Sequence, residues 1–286
     1  MDRTRHYHLA QYEKSMPESM TLKEKLLKSK SLGYDFLEMS VDETDEKLAR
    51  LDWSSEQICD LVAFMQENDY HIHSICLSAL RKYCLGSHFE DNRARALEIV
   101  EKCVVLAYRL GVRYIQIPGY DVYYEESDEL TERLFTENLK KAVDIAAAYG
   151  VVLAFETMEP EFMNNVKKAM KYVRLIDSPY LKVYPDSGNC TVAALRYNEN
   201  IRDDYMTGKG HIIACHLKEV LNGQFRQVQF GKGQNDFRLT IQTMHDMGVR
   251  LFTTEYWAFN DEWEQRCHYA IKYFRTIMDE IYEAEN

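Results

Sequence analysis

One short phrase recurs along this sequence: an amphipathic stretch, then a glycine, then a brief hydrophobic run. It surrounds Gly33, Gly111, Gly150 and Gly248, as in RLGVRYIQIPG and DMGVRLFTTE. Glycine is favoured just beyond the end of a helix because it adopts a left-handed conformation at no steric cost. Helices that alternate with short strands build βαβ units, so the phrase predicts an α/β protein with a parallel sheet.

The intervals between these glycines indicate how many βα units the chain contains. Gly33 to Gly111 spans two units, Gly111 to Gly150 spans one, and Gly150 to Gly248 spans three, with other turn residues marking the units between. An opening strand near the N-terminus completes the set. The eight predicted strands end near Tyr12, Ser40, Leu77, Pro118, Glu156, Asp186, Lys218 and Tyr256.

Between the predicted strands, apolar residues recur at the helical spacing of three and four. The predicted helices run from Ser55 to Asn68, Ala94 to Leu110, Leu130 to Tyr149, Asn165 to Ile176, Phe237 to Met247 and Glu262 to Tyr282. Eight βα units in 286 residues predict a closed (β/α)8 TIM barrel, with a doubly wound open sheet as the alternative. Because no linker-like or low-complexity stretch divides the sequence, residues 1–286 are predicted to form a single domain.

Composition and charge narrow the classes of function. Lys and Arg number 35 against 46 Asp and Glu, and the net charge of −11 disfavours binding to the phosphate backbone of nucleic acid. No apolar run approaches the roughly 18 residues of a membrane helix, and the N-terminus lacks the apolar core of a signal peptide. The seven cysteines are dispersed, as expected for reduced thiols. We therefore expect a cytoplasmic protein that acts on neither nucleic acid nor membranes.

Four consecutive predicted strands end in residues that bind metal ions. The strands LAFE, VYPD, IIACH and FTTE end in Glu156, Asp186, His216 and Glu255. Active sites of TIM barrels lie at the C-terminal ends of the strands. A single acidic residue there most often caps a helix or forms a turn, but four such residues in succession favour a shared site. Three carboxylates and one imidazole suit a divalent ion such as Zn²⁺, Mn²⁺, Mg²⁺ or Co²⁺.

Longer motifs resemble one enzyme family. The segments EMSVDETDEKLARLDWS, SICLSALRKYCLGS, IPGYDVYY, VYPDSGN, HIIACHLKE and FGKGQNDF together resemble the L-ribulose-5-phosphate 3-epimerases, also called L-xylulose-5-phosphate 3-epimerases. The resemblance covers nearly the whole chain and implies a xylose isomerase-like TIM barrel that acts in L-ascorbate and related pentose degradation. It also implies one divalent metal ion, with Zn²⁺ or Mn²⁺ favoured, on Glu156, Asp186, His216 and Glu255.

The reaction implied by the resemblance is epimerisation at C3 of a pentulose 5-phosphate, either L-ribulose 5-phosphate or L-xylulose 5-phosphate. The C3 proton is acidic because this carbon adjoins the C2 carbonyl, and a metal bound to both oxygens stabilises a cis-enediolate. In the family mechanism, Glu156 and Glu255 remove and return the proton on opposite faces as a two-base pair. Asp186 and His216 hold the metal only.

Further residues are candidates for binding the sugar phosphate. The substrate-binding candidates are Asn189, Arg226, Glu38, Arg81 and Lys218. Arg226 is followed by the segment Gly231-Lys232-Gly233, and a glycine-rich loop before a helix N-terminus suits a phosphate group. Arg81 and Lys82 form the alternative phosphate site.

Two departures from the family pattern leave the exact sugar open. Leu80 precedes Arg81 where the family usually has histidine, and Cys84 replaces a usual proline, in a loop expected to face the substrate. The second function considered is an aldose–ketose isomerase, or an epimerase of a free or differently phosphorylated sugar. A zinc-dependent endonuclease and a barrel with a merely structural metal are the remaining alternatives. The sequence also leaves a homo-oligomer open.

Overall fold

Eight parallel strands form one sheet in the computed structural model, which describes residues 5–225, 227–258 and 260–283. They are β1 (His8–Tyr12), β2 (Phe36–Ser40), β3 (Ile72–Cys76), β4 (Tyr114–Pro118), β5 (Val152–Glu156), β6 (Leu181–Val183), β7 (Cys215–Leu217) and β8 (Leu251–Thr254). Hydrogen-bonded neighbours run in the order β6-β5-β4-β3-β2-β1-β8-β7. Parallel bridges from Val183 to Ile212 and from Asp186 to His216 join β6 to β7, so the sheet closes into the predicted barrel.

Ten α-helices in the described ranges connect these strands. They are α1 (Leu22–Leu32), α2 (Asp45–Leu48), α3 (Ser55–Glu67), α4 (Glu90–Leu110), α5 (Glu129–Ala148), α6 (Val166–Ile176), α7 (Ser187–Tyr197), α8 (Ile201–Met206), α9 (Phe237–Asp246) and α10 (Trp263–Tyr282). The six helices predicted from periodicity are present. Gly33 and Gly111 end α1 and α4 with φ of 93° and 75°, as the recurring phrase predicts.

Helix α7 begins with Ser-Gly-Asn, a sequence more typical of a turn. The helix forms because the side chain of Asp186 caps it, accepting a hydrogen bond from the Asn189 backbone at 2.7 Å. Gly188 is also required sterically, since a Cβ atom there would lie 2.9 Å from the Lys218 carbonyl oxygen. This close approach joins the start of α7 to the end of β7.

Most of the buried apolar residues form one large cluster, which includes Tyr7 before β1 and Tyr282 in α10. It fills the space between the barrel wall and the surrounding helices. The assignment of the whole chain to a single domain stays a prediction. In the ranges that the structure covers, no helix combines the length and the apolar character needed to cross a membrane.

A buried ionic cluster anchors the connection that follows β1. The carboxylate of Glu13, which is fully buried, lies 3.4 Å from Lys25 Nζ, 2.6 Å from Lys47 Nζ and 2.6 Å from a guanidinium nitrogen of Arg50. It also accepts a hydrogen bond from the Ser40 backbone at 2.8 Å. Burial alone would raise the pKa of Glu13, but Arg50 and the two lysines hold that pKa well below its usual range. The cluster thereby joins β1, β2, α1 and α2.

Replacing Glu13 with glutamine is expected to lower the free energy of unfolding at pH 7 by about 3–5 kcal/mol, because three buried cations lose their counter-charge. Since the folded-state pKa is depressed, the carboxylate stabilises the protein above the usual glutamate pKa of about 4.3, and this contribution is lost as the pH falls further. Urea unfolding at decreasing pH should therefore show the difference between wild type and Glu13→Gln shrinking. Glu98 is an exposed glutamate that pairs with Arg95, and Glu98→Gln should lower the free energy of unfolding by no more than about 1 kcal/mol. An equal loss in both variants would contradict the assignment.

Candidate active site

The four predicted metal ligands converge at the C-terminal end of the barrel. Glu156 is the last residue of β5, Asp186 caps α7 after β6, His216 lies in β7, and Glu255 directly follows β8. Each offers one ligand atom, and these atoms lie within 4.8 Å of one another. All four side chains are buried. The geometry therefore brings together the four residues that the strand pattern predicts.

The imidazole of His216 is directed so that one nitrogen faces the acidic group. Its Nδ1 atom lies 3.1 Å from Glu255 Oε2, 3.6 Å from Glu156 Oε1 and 4.0 Å from Asp186 Oδ2. Its Nε2 atom points the opposite way and lies 2.6 Å from Glu38 Oε1. The ring thus separates the acidic group on one side from a further buried carboxylate on the other.

Lys218 supplies positive charge beside the same group. Its Nζ atom lies 3.2 Å from Asp186 Oδ2 and 3.3 Å from Glu255 Oε2. Burial alone would raise the pKa of Glu255, but Lys218 and His216 hold it well below its usual range. Burial raises the pKa of Asp186 and of Glu156, and the neighbouring Glu255 carboxylate adds to both shifts. The environment therefore gives the two glutamates opposite tendencies to bind a proton.

The donor set fits a divalent cation. When the three carboxyl groups of the site and Glu38 are all ionised, their four negative charges exceed the charges of Lys218 and a protonated His216 by two, in a buried space. Uncompensated buried charge is costly, and a doubly charged ion would balance it. Asp186 Oδ2 has no hydrogen-bond donor in good geometry, although Lys218 Nζ is near, so this oxygen is available as a ligand.

A cavity opens above this group at the barrel mouth. Glu156, His216 and Glu255 form its floor, whereas Asp186 is fully buried and does not line the cavity. Its walls include the cationic side chains of Lys14, Arg81 and Lys218. A polar ligand with an anionic group can therefore contact two glutamates and several cations at once.

The structure brings only some of the other predicted substrate-binding residues to the cavity. Arg81 and Lys218 lie on the cavity wall. Arg226 lies outside the described residues, so its role stays a prediction. The Asn189 side-chain amide donates to the Thr157 carbonyl oxygen at 2.8 Å and is buried, so it orders the β5–α6 connection. A substrate contact by Asn189 also stays a prediction.

Glu38 lies elsewhere than expected. It occupies the middle of β2 rather than its end, and it is fully buried beneath the site. Its two oxygens are each 2.6 Å from a partner, His216 Nε2 and Ser74 Oγ. Glu38 therefore contacts a predicted metal ligand and is not part of the cavity wall. A direct contact of Glu38 with the substrate stays a prediction.

The two departures from the family pattern lie away from the cavity. Leu80 is 4% exposed and Cys84 is 3% exposed, and both pack into the protein while Arg81 between them reaches the cavity. Cys84 Sγ lies 3.3 Å from the Leu80 carbonyl oxygen and 3.2 Å from that of Arg81. The loop lines the cavity through Ser78 and Arg81, as expected, whereas the side chains of Leu80 and Cys84 pack behind Arg81.

Sequence reasoning missed Tyr12 and Lys14 as cavity residues. The signal was present, since both lie at the C-terminal end of β1, where active-site residues of TIM barrels are found. Lys14 Nζ lies 2.6 Å from Asp42 Oδ2 and 4.5 Å from the ring centre of Trp257. These contacts hold the lysine at the mouth of the cavity.

Comparison with known proteins agrees with this geometry. The family model for the xylose isomerase-like TIM barrel matches residues 26–277. L-ribulose-5-phosphate 3-epimerase UlaE from Escherichia coli strain Crooks and its namesake from Shigella sonnei are each 41% identical over 237 residues, covering 83% of this chain and 82% of theirs. This chain belongs to the L-ribulose-5-phosphate 3-epimerase family. As a member of that family of xylose isomerase-like barrels, it is an isomerase.

Solved structures with the same fold include sugar epimerases of low sequence identity. The structure of an L-ribulose 3-epimerase superposes with a TM-score of 0.81 at 14% identity, covering 98% of this chain and 97% of that one. D-psicose 3-epimerase from Clostridium cellulolyticum H10, solved with D-tagatose, gives 0.78 at 17% identity and covers 95% and 99%. At these identities the likeness shows the fold alone.

The glycine-rich segment expected to bind phosphate has another partner in this epimerase-family chain. The buried carboxylate of Glu219 accepts hydrogen bonds from the backbones of Gly231 at 2.8 Å and Asn235 at 3.1 Å. The backbone of Lys232 donates to the Gln229 carbonyl oxygen at 3.0 Å. These amides are therefore already engaged, and the segment is a cradle for an internal carboxylate.

Replacing Gly233 with alanine is expected to destabilise the protein by about 1–3 kcal/mol, because the new Cβ would lie 2.3 Å from both Glu219 Oε1 and the Val220 carbonyl oxygen. The exposed neighbour Lys232, changed to alanine, should stay within about 0.5 kcal/mol of wild type. Urea unfolding without any phosphate measures both. If Gly233→Ala left stability unchanged, the cradle would not be the reason for the glycine.

Proposed function

We propose that this protein epimerises a pentulose 5-phosphate at C3, interconverting L-ribulose 5-phosphate and L-xylulose 5-phosphate. The observation that carries the proposal is the double position of Glu156 and Glu255, which belong to the candidate metal group and also form the cavity floor. The names of the 41% identical relatives support the same substrate class. L-ascorbate degradation in the cytoplasm is the setting that fits this activity.

The two glutamates are suited to move a proton at C3 in opposite directions. One takes the proton from C3, leaving an enediolate over C2 and C3, and the other returns a proton to the opposite face. They come from β5 and β8, three strands apart around the barrel, so they approach a bound sugar from different sides. Both carboxylates are buried at the cavity floor, which supports proton exchange between each of them and a bound sugar.

Glu156, Asp186, His216 and Glu255 would hold one divalent ion, for which Zn²⁺ and Mn²⁺ are the first choices and Mg²⁺ and Co²⁺ the others. When bound, such an ion supplies a Lewis acid that polarises the carbonyl next to the reacting carbon. Lys218 holds Asp186 and Glu255 in place through its contacts of 3.2 and 3.3 Å. All these groups are buried, so little of their surface is open to bulk water.

Changing Glu156 or Glu255 to glutamine is expected to lower kcat by roughly 10²-fold or more, because the amide keeps its shape but cannot accept the proton. Epimerisation is measured in a coupled assay with each of the two pentulose phosphates. Bound metal is quantified in each variant, so that metal loss is not mistaken for loss of a base. A variant that holds its metal and epimerises near the wild-type rate would refute the two-base mechanism.

The exposed glutamate Glu161, just beyond β5, provides the matched control. Its side chain is 72% exposed, and it pairs with Arg196 on the surface. Glu161→Gln should epimerise at the wild-type rate. A solvent-exchange measurement at C3 adds resolution, since a variant lacking one base can still exchange the proton of one epimer. Conversion of free sugars at the same efficiency would favour the free-sugar epimerase over the phosphate-specific enzyme.

Phosphate recognition is tested by Arg226→Ala and Arg81→Ala. Loss of a charge-assisted hydrogen bond to phosphate should raise KM by roughly 10- to 100-fold with little change in kcat, because the phosphate is remote from C3. The surface residue Arg202, changed to alanine, is the control and should leave KM unchanged. KM is measured for each sugar with and without its phosphate. An unchanged KM in Arg226→Ala would show that Arg226 does not bind the phosphate. Arg81, which lies on the cavity wall, would then be the remaining candidate.

A further inference from the structure

Both ring nitrogens of His216 have close polar neighbours, including the nitrogen that points away from the cavity. Its Nε2 atom and Glu38 Oε1 are 2.6 Å apart, and Glu38 is fully buried. We propose that Glu38 is a positioning residue that fixes which nitrogen of His216 is offered to the metal ion. This inference rests on the metal centre of the proposed function and assigns Glu38 a role other than contact with the sugar.

The barrel wall is shaped to hold Glu38 in this position. The register between β2 and β3 shifts after Leu37, so that Glu38 stands opposite Ser74 and one extra residue of β3 is accommodated. Such bulges re-aim side chains next to active sites. Here Ser74 Oγ reaches Glu38 Oε2 at 2.6 Å. Both carboxylate oxygens are therefore occupied, one by Ser74 and one by His216.

Aromatic rings restrict the imidazole from two further directions. The Tyr184 ring meets it edge-on, with centroids 5.0 Å apart and planes at 78°, and the Tyr12 ring lies 6.0 Å away. The Tyr184 hydroxyl lies 2.6 Å from Thr253 Oγ1, which holds that ring in turn. Packing thus restricts the orientation of the imidazole ring, and the hydrogen bond to Glu38 determines which ring nitrogen carries the proton.

The consequence for metal binding follows from imidazole chemistry. A neutral imidazole carries one N–H, so donation from Nε2 to Glu38 leaves the lone pair on Nδ1. That lone pair points toward Glu156, Asp186 and Glu255. A carboxylate on the far nitrogen also increases the basicity of the ligating one, and removal of such partners typically lowers metal affinity about 10- to 100-fold.

Glutamine at position 38 separates this role from simple packing. Glu38→Gln keeps the size and one acceptor, but its amide can also donate to Nε2 and favour the wrong tautomer. We expect Glu38→Gln to bind Zn²⁺ and Mn²⁺ roughly 10- to 100-fold more weakly than wild type. Ser74→Ala should show a smaller loss, because it frees Glu38 without removing the bond to His216.

A buried carboxylate whose hydrogen bonds go to backbone amides of α6 provides the control. Asp204 accepts backbone hydrogen bonds from Val166 and Lys167 at 2.9 Å each, and Asp204→Asn perturbs the fold without touching the ligands. Full-length wild type and variants are freed of metal and titrated in competition with a chelator, and urea unfolding is measured on the same metal-free samples. We expect lower metal affinity in Glu38→Gln and unchanged affinity in Asp204→Asn, even where both lose stability.

The outcomes separate this inference from the proposed function. If wild type binds neither ion, the metal centre itself is wrong. If wild type binds and Glu38→Gln binds within twofold of it, Glu38 is not a positioning residue and the inference is overturned. If Glu38→Gln does not fold, Glu38→Asp and Ser74→Ala carry the test: a graded loss of affinity supports the role, and wild-type affinity in both refutes it.

Discussion

The crowding of acidic groups in a space shut off from water is the constraint on which this molecule depends. Glu156, Asp186 and Glu255 meet there because parallel strands end at the same rim of a barrel. Each would lose solvation on burial, so each must find a cation or a donor nearby. Lys218 meets part of that demand, and His216 links the group to Glu38 below. The remaining excess of negative charge makes the rim a place for a divalent ion.

The barrel interior beneath the rim is built to tolerate this charge. Ala154 and Ala214 lie two residues before Glu156 and His216 on the same faces of their strands, and their small side chains leave room for Tyr184 between them. The layer is therefore not uniformly apolar, since Glu38, Ser74 and Thr253 also belong to it. Polar partners within this layer hold the ligands from below, whereas the helices outside supply the apolar burial that stabilises the barrel.

The sequence contains most of the fold in local signals. Strand ends at Tyr12, Ser40, Pro118 and Glu156 are as predicted, because glycine caps and short hydrophobic runs are local features. The four ligands follow from the rule that barrel sites lie at strand ends. The pairing of Glu38 with Ser74 depends on a register shift between strands, which leaves no mark in either strand alone.

Two further features depend on side-chain hydrogen bonds that the local pattern does not show. The Ser-Gly-Asn start of α7 reads as a turn until Asp186 caps it, and the glycine segment reads as a phosphate loop until Glu219 is seen to occupy its amides. Asp186 directly precedes the Ser-Gly-Asn sequence, whereas Glu219 lies 12 residues before Gly231, and in both cases a side-chain carboxylate that accepts backbone hydrogen bonds decides the outcome. Local patterns therefore predict where elements lie better than they predict which polar groups those elements satisfy.

The joint between β6 and β7 is closed differently from the rest of the described barrel wall. Isolated bridges close it, whereas the other neighbouring strands pair in ladders, of which the β2–β3 ladder contains one register shift. Asp186 and His216 form one of those bridges, so one predicted ligand lies on each side of the joint between β6 and β7. An ion bound by both residues would link the β6 and β7 sides of the barrel where the sheet closes. Metal binding would then stabilise the closed barrel as well as complete the active site.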